Sequence, residues 1–254
     1  MVYCESLARL RRYAKKVRKR LWPVVAIAAV LAFGAILMVV MVLHSDEDDL
    51  VIDAPRCIDG PLTPGIDVSY HQGTIVWPKV QAAGIRFAFI RISDGLTVRD
   101  TLFAQNWAGA RRAHLRRGVY QYFRPDENAV AQADLVIAAV ARDPGELPPV
   151  IDVETTGGKS PAQVERQVRA WVARIRAKLH VEPIIYTSPA FWTDAVGGAD
   201  LSSQPLWVAH YTNECPRVPP PWSRWTFWQH SESGRVPGID GPVDLDVFAG
   251  ELPP

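Results

Sequence analysis

The sequence predicts a mixed α/β domain, folded as an eight-stranded barrel, that follows a single membrane-spanning helix. Three observations support this prediction: a long uncharged run near the N-terminus, eight short apolar runs after it, and helix-like stretches between the first six of those runs. The 254 residues are 48% hydrophobic and 22% charged, which excludes a disordered chain, and the 17 Gly and 21 Pro are too few for a fibrous one.

The net charge of +1 conceals three segments with different charge. Residues 1–43 carry eight basic groups and one acid, whereas residues 44–64 carry six acids and one Arg. We predict that residues 1–20 are a basic cytoplasmic tail and that the acidic, Pro-containing residues 44–64 are a solvated linker. The nearly neutral remainder, residues 65–254, is long enough for one domain with a sizeable core.

Residues 21–43 contain no charged side chain. As a helix with a rise of about 1.5 Å per residue they would extend about 34 Å, enough to cross a hydrocarbon core of roughly 30 Å. The run is longer than the apolar region of a cleaved signal peptide, so we predict an uncleaved signal anchor. The basic tail before it predicts a cytoplasmic N-terminus and a barrel domain on the periplasmic or extracytoplasmic side of the cytoplasmic (inner) membrane.

Two cysteines fall outside the cytoplasm in this topology. Cys57 and Cys215 are therefore predicted to form a disulfide, because disulfides persist in oxidising compartments. Two unpaired thiols are the alternative, which the sequence leaves open.

Eight runs rich in β-branched or aromatic residues predict the strands of the domain. They are residues 66–70, 86–92, 118–123, 149–154, 183–187, 205–210, 225–229 and 243–248. The predicted helices between the first six are residues 77–83, 101–115, 127–141, 161–178 and 188–195, and Ser160 with Pro161 gives the fourth a capped start. Five β-α units followed by three strands predict a TIM-like (β/α)5(β)3 barrel, with an open doubly wound sheet as the alternative.

Acidic residues lie at the ends of four predicted strands, where a barrel of this type places its active site. Asp67 is in the first, Asp94 follows the second, Asp152 and Glu154 end the fourth, and Asp244 is in or near the eighth. Asp152 and Glu154, two positions apart, point to the same face about 6.6 Å apart. Repulsion and burial should leave one protonated and one ionised, as glycoside cleavage requires.

A carboxylate pair can also bind a metal ion, but the His residues do not follow a metal-binding spacing, so we expect no cofactor and no metal. Aromatic residues favour a sugar ligand, because apolar sugar faces stack on flat rings. Eight of the nine Trp lie after residue 65. Ordinary core packing is the alternative for each ring. The candidate substrate-binding residues are Asp94, Tyr120, Tyr122, Tyr186, Trp207, Tyr211, Trp228 and Gln229.

Five motifs together resemble glycoside hydrolase family 25, the Chalaropsis-type lysozymes. They are Gly65-Ile66-Asp67-Val68-Ser69-Tyr70-His71-Gln72-Gly73 with Trp77, Pro149 to Glu154, Pro205 to Ala209 with Tyr211, Phe227 to His230, and Gly238 to Phe248. The resemblance covers roughly residues 65–250. Two places depart from the family pattern: Arg91 to Gly95 replaces Lys-Ala-Thr-Glu-Gly, and Tyr120-Gln121 replaces Tyr-His.

The resemblance implies cleavage of the β-1,4 bond between N-acetylmuramic acid and N-acetylglucosamine in peptidoglycan. Glu154 would protonate the leaving oxygen, Asp152 would orient or stabilise the 2-acetamido group, and Asp67 and Asp244 would complete the acidic cluster. Whether a carboxylate or the substrate's acetamido group is the nucleophile stays open, with substrate assistance preferred.

The expected partners are peptidoglycan glycan strands and, through residues 21–43, the membrane; we expect a monomer that does not bind nucleic acid. Two other functions are kept: a catalytically weak, membrane-anchored peptidoglycan-binding module, and a chitinase- or glucosaminidase-like glycosidase.

Overall fold

A computed structural model describes residues 57–252 of the chain, which form nine β-strands, five α-helices and one 3-10 helix. The predicted tail, the predicted membrane span and most of the predicted linker lie outside the described residues. Within residues 57–252, no helix is both long enough and apolar enough to cross a membrane.

The strands agree closely with the predicted runs. They are β1 (Leu62–Val68), β2 (Phe87–Asp94), β3 (Val98–Arg99), β4 (Arg116–Tyr122), β5 (Val150–Asp152), β6 (Ile184–Thr187), β7 (Leu206–Ala209), β8 (Phe227–Gly234) and β9 (Val243–Ala249). The helices are α1 (Trp77–Ala82), α2 (Phe103–Arg112), α3 (Ala129–Val140), α4 (Pro161–Leu179) and α5 (Pro189–Ala195), and the 3-10 helix is Tyr70–Gln72. The short β3, which pairs with the end of β2, is the one described strand that the sequence did not predict.

Local capping explains where the helices begin. Asn128 accepts a hydrogen bond from the backbone N–H of Ala131 at 2.9 Å and starts α3. Ser160 and Gln163 form a reciprocal capping box before α4, with Pro161 in the first turn. These side chains satisfy backbone N–H groups that have no partner within the helix, so the predicted and observed starts agree within two residues.

The sheet closes, because β1 pairs with β2 at one side and with β9 at the other. The barrel prediction is therefore confirmed and the open-sheet alternative is wrong. Strands β1, β2 and β4 to β8 run parallel, but β9 is antiparallel to both of its neighbours. The connection from β8 to β9, residues 235–242, is too short for the crossover that parallel strands need.

Apolar side chains fill the barrel interior below the carboxyl ends of the parallel strands. On β2, Phe87 and Phe89 face inward, whereas Ala88 and Ile90 face the helices, as the two-residue period of a strand requires. Gly65 on β1 and Gly118 on β4 leave the space that these two rings occupy, since a Cβ at either position would collide with them. These rings fill the barrel interior below the carboxyl ends of the parallel strands.

The domain begins before residue 65. Cys57 and Cys215 form a disulfide with a Cα–Cα distance of 5.1 Å, which confirms the predicted pairing. Thr63 and Pro64 pair with Phe248 and Val247 on β9, although the sequence analysis assigned residues 57–64 to the linker. Gly and Pro near β1 indicated a loop, and only the partner strand far along the chain makes this segment a strand.

Candidate active site

A cavity of about 350 Å³ opens at the carboxyl ends of the parallel strands. All four predicted catalytic acids, Asp67, Asp152, Glu154 and Asp244, line it. Asp244 is the second residue of the antiparallel strand β9. It lies at this end of the barrel because the amino end of β9 is beside the carboxyl ends of β1 and β8.

Six of the eight predicted substrate-binding residues also line the cavity: Tyr120, Tyr122, Tyr186, Trp207, Tyr211 and Gln229. The other two lie elsewhere. Asp94 accepts hydrogen bonds from Nε and Nη2 of Arg124, at 2.5 and 2.7 Å. Trp228 is buried in the outer core, because Phe227 and Gln229 take the inward positions of β8 and its own side chain faces outward.

Five further residues line the cavity without having been predicted to belong to the site: Ser69, His71, Gln72, Arg91 and Glu232. Four of them had a signal in the sequence, because Ser69, His71 and Gln72 lie in the first family motif and Arg91 begins the segment that departs from the family pattern. Glu232 had none; it lies on β8, which continues to Gly234 rather than ending near residue 229 as predicted.

Asp152 and Glu154 differ in their access to solvent. Asp152 ends β5 with only 5% of its surface exposed, and its Oδ1 atom has no hydrogen-bond partner among the described residues. Glu154 is open to solvent at the cavity surface. Burial and the charge of Glu154 raise the pKa of Asp152 well above its usual value. The protein surrounding Glu154, together with the charge of Asp244, raises the pKa of Glu154 as well.

Three more carboxyl groups meet on β1 and β9. Asp67 is the direct cross-strand neighbour of Asp244, and Asp246 is fully buried next to them. Burial and the charges of Asp244 and Asp246 raise the pKa of Asp67. Burial and the charge of Glu232 raise the pKa of Asp244 to about 6. Like charges so close together favour retention of protons, so these carboxyl groups stay protonated to higher pH than isolated ones would.

A chain of hydrogen bonds orients Asp67. The hydroxyl groups of Tyr186 and Tyr211 both donate to Oε1 of Gln229 at 2.8 Å. This fixes the amide so that its Nε2 donates to Oδ2 of Asp67 at 2.7 Å. Behind Asp67, the indole of Trp207 donates to Asp246 at 2.9 Å.

Within residues 57–252, no group of three or more His, Cys, Asp or Glu is arranged to hold a metal ion. The cavity is lined mainly by carboxyl groups, aromatic rings, the amide of Gln229 and the guanidinium of Arg91. A protonated carboxyl group beside an ionised one can perform general acid catalysis on an acetal.

Comparison with known proteins identifies the family. The model for glycosyl hydrolases family 25 matches residues 66–239. The chain belongs to this family. The family 25 domain is 36% identical over 198 residues to Lysozyme M1 of Streptomyces globisporus, covering 73% of this chain and 67% of that protein.

Solved structures show the same family 25 fold. A bacterial lysozyme from Streptomyces coelicolor superposes with a TM-score of 0.69 at 33% identity, covering 76% of this chain and 93% of that one. A family GH25 lysozyme from Aspergillus fumigatus gives a TM-score of 0.68 at 27% identity, with 76% and 96% covered. The resemblance inferred from the five motifs is confirmed.

Proposed function

We propose that the chain is a muramidase, which hydrolyses the β-1,4 bond between N-acetylmuramic acid and N-acetylglucosamine in peptidoglycan. The main observation that supports this is that Asp152 and Glu154 both line the cavity. Each has a raised pKa, and each lies beside a different set of charges. Relatives in the same family that are named lysozymes support the substrate class.

Glu154 is proposed as the general acid. Its side chain makes no hydrogen bond or ion pair with the described residues and is open to solvent, so it can reach a glycosidic oxygen. Its raised pKa keeps a larger fraction protonated than an ordinary Glu would have near neutral pH. Glu154 would donate its proton to the leaving oxygen as the C1–O bond breaks, and later take a proton from the attacking water.

Asp152 is proposed to assist the substrate's own 2-acetamido group. The acetamido carbonyl oxygen would attack C1, and the unpartnered Oδ1 of Asp152 would accept the N–H that becomes more acidic in this step. Water would then open the cyclic intermediate at C1. The alternative is direct attack on C1 by the Asp152 carboxylate.

Asp67 and Asp244 are proposed to complete the acidic site: Asp67 accepts the hydrogen bond from the amide of Gln229, and Asp244 is its cross-strand neighbour. The aromatic rings of Tyr120, Trp207 and Tyr211 offer flat walls for the sugar rings.

The decisive experiment identifies the sugar at each new reducing end after digestion of purified peptidoglycan. Muramic acid at the new ends is expected for the unmodified chain, and loss of those ends is expected for Glu154→Gln. N-acetylglucosamine at the new ends would instead indicate the glucosaminidase- or chitinase-like alternative. Glycan binding without release of ends by the unmodified chain would indicate the weak binding module.

A second experiment tests the nucleophile. Peptidoglycan glycan from which the N-acetyl groups have been removed should not be cleaved, because it lacks the attacking carbonyl oxygen. Cleavage of that glycan, with a sugar trapped on Asp152 in mass spectra, would favour the carboxylate nucleophile.

We also propose that residues 21–43 anchor the chain in the cytoplasmic membrane, with the enzyme domain on the wall side. The disulfide of Cys57 and Cys215 supports an oxidising compartment for the domain. Protease added outside intact cells stripped of wall should remove the domain and leave the tail protected. Recovery of the whole chain in the cytosolic fraction would contradict this location.

A further inference from the structure

Arg91 is the only Lys or Arg among the described residues that line the active-site cavity, where it faces five carboxyl side chains. It occupies the inward position of β2 directly above Phe87 and Phe89. Its side chain is 12% exposed. A cation in this acidic cavity must have a function different from those of the acid–base pair and the aromatic walls.

The guanidinium is held in place from behind. Its Nε donates to Oδ2 of Asp100 at 3.4 Å, and its Cζ lies 4.7 Å above the ring of Tyr70. Asp100 is itself fixed, because it accepts hydrogen bonds from the backbone N–H groups of Tyr70 and Leu102 at 2.8 and 3.0 Å. Arg91 is thus oriented before any substrate arrives, which lowers the entropic cost of using it.

Part of the guanidinium makes no hydrogen bond with the described residues. Nη2 is buried and has no partner among the described residues, whereas Nε donates to Asp100. Oδ1 of Asp152, which only strand β4 separates from Arg91 in the cavity lining, is also buried without a partner. Unpaired buried polar atoms are costly, so two of them in one cavity indicate groups that a ligand satisfies.

We propose that Arg91 recognises the 3-O-lactyl carboxyl group of muramic acid. This rests on the proposed function. The lactyl ether is on C3, next to the C2 acetamido group that Asp152 is proposed to meet, so a donor beside Asp152 faces the C3 substituent. N-acetylmuramic acid differs from N-acetylglucosamine by this group alone. Where the lactyl group carries no peptide, the parallel N–H groups of a guanidinium match the two oxygens of its carboxylate, and where a peptide is attached, its carbonyl oxygen can accept from one of them.

Influence of Arg91 on Asp152 is consistent with this placement, since the charge of Arg91 opposes the rise in the pKa of Asp152 that burial and Glu154 cause. A role of Arg91 confined to its effect on Asp152 would act on every N-acetylated sugar in the cavity equally. Recognition of the lactyl group would act on muramic acid alone, so a ratio of two affinities separates the two roles.

The experiment measures binding by calorimetry to the chain carrying Glu154→Gln, which prevents turnover. The two ligands are the β-1,4 disaccharide of N-acetylmuramic acid and N-acetylglucosamine with a free lactyl carboxylate, and N,N′-diacetylchitobiose, which keeps both acetamido groups and lacks the lactyl group. The muramyl disaccharide should bind at least about tenfold more tightly. Adding Arg91→Met should reduce this ratio to about one, and Arg91→Lys should leave an intermediate ratio because an ammonium lacks the fork.

Arg112→Met in the same background is the control, since Arg112 is exposed at the end of α2 and should leave the ratio unchanged. A ratio that survives Arg91→Met in a protein with an unchanged melting temperature would overturn the inference. If Arg91→Met does not fold, a ratio for Arg91→Lys equal to that of the parent would overturn it.

The reducing-end assay on the unmodified chain is run separately, so that failure of the proposed hydrolysis can be told from failure of the proposed role of Arg91. Muramic acid ends together with an unchanged ratio in Arg91→Met refute only the role of Arg91. No released ends, together with a ratio lost in Arg91→Met, refute only the proposed hydrolysis.

Discussion

Buried charge is paired at one end of the barrel and partly unpaired at the other. The base is the end at the amino ends of the parallel strands, and the mouth is the end at their carboxyl ends, where the active-site cavity opens. Near the base, Arg117 on β4 is almost fully buried, and its guanidinium donates to both carboxylate oxygens of Asp143 at 2.8 and 3.0 Å and to Glu146 at 2.9 Å. At the mouth, Asp152 and Asp246 each keep an oxygen without a partner. The base has a cation for its carboxylates, whereas five carboxyl groups at the mouth share one lining cation, Arg91, among the described residues.

The difference shows which charges stabilise the fold and which are available for chemistry. Hydrogen bonds from Arg117 lower the pKa of Asp143 and, against the effect of burial, that of Glu146. At the mouth, burial and like charges raise the pKa values of Asp67, Asp152 and Asp244. Paired charge at the base is satisfied within the protein, whereas the mouth keeps charges that a substrate can engage.

The sharpest separation of the two ends is expected from Glu154→Gln at the mouth. Loss of the proton donor should lower kcat by about 10²- to 10⁴-fold. The melting temperature should not fall, because the Glu154 side chain has no hydrogen-bond partner to lose among the described residues and its removal relieves repulsion with Asp244. Glu165→Gln on α4, where Glu165 is partly exposed and pairs with Arg169 away from the cavity, is the matched control for kcat. A large fall in melting temperature would show that Glu154 has a structural role.

At the base, Arg117→Met should have the opposite profile. It leaves Asp143 and Glu146 without their cation and should lower the free energy of unfolding by about 3 kcal/mol in denaturant titrations. Below the melting transition kcat should be unchanged, because the cavity lies at the other end of the strands. The exposed Arg112→Met serves as the control for stability. Equal stability of both variants would mean that the buried network is not stabilising.

The pH dependence of stability should also have opposite signs at the two ends. Asp244 has a pKa of about 6 against an unperturbed 3.8, so the folded chain binds more protons between these values. Its contribution to stability is present below about pH 4 and is lost as the pH rises through 6. Asp143, whose pKa is lowered, contributes above its unfolded pKa, and this contribution is lost on acidification.

Asp244→Asn should therefore raise the melting temperature at pH 7 by about 2–4 °C, equivalent to about 1 kcal/mol for a domain of this size. It should also flatten the fall in melting temperature between pH 4 and 6. Asp143→Asn should instead lower the melting temperature at pH 7. The same sign of change for both variants would remove the contrast between the two ends.

The smallest effect is expected for Tyr211→Phe at the rim of the mouth. Tyr186 still donates to Oε1 of Gln229, so KM should rise only about two- to fivefold. The double variant Tyr186→Phe with Tyr211→Phe frees the amide and should lower kcat more than the two single changes combined. A single change as damaging as the double would show that Tyr211 itself has a larger role, such as stacking on the substrate.

The sequence predicted most of the fold because its signals are local. Capping at Ser160 with Pro161 marks the start of α4, and short β-branched runs between helices mark the strands. The four acids at strand ends were expected to converge, because parallel strands bring their carboxyl ends to the same side. Their catalytic roles stay predictions.

Other features depend on contacts between distant parts of the chain. The direction of β9, the outward face of Trp228 and the ion pair of Asp94 with Arg124 follow from strand register and from neighbours that no local pattern specifies. Arg91, Glu232 and Asp246 belong to the mouth for the same reason. A one-residue shift in register would turn each of these strand residues to the opposite face.

The sequence by itself therefore determined the order of strands and helices, the family and the acid pair of Asp152 and Glu154, because each rests on short contiguous segments. Only the tertiary structure decided which charges are paired and which are left free. Pairing depends on side chains that meet across the sheet, as Arg117 meets Asp143 and Glu146, and closure of the barrel is what brings β1 and β9 together to place Asp67 beside Asp244.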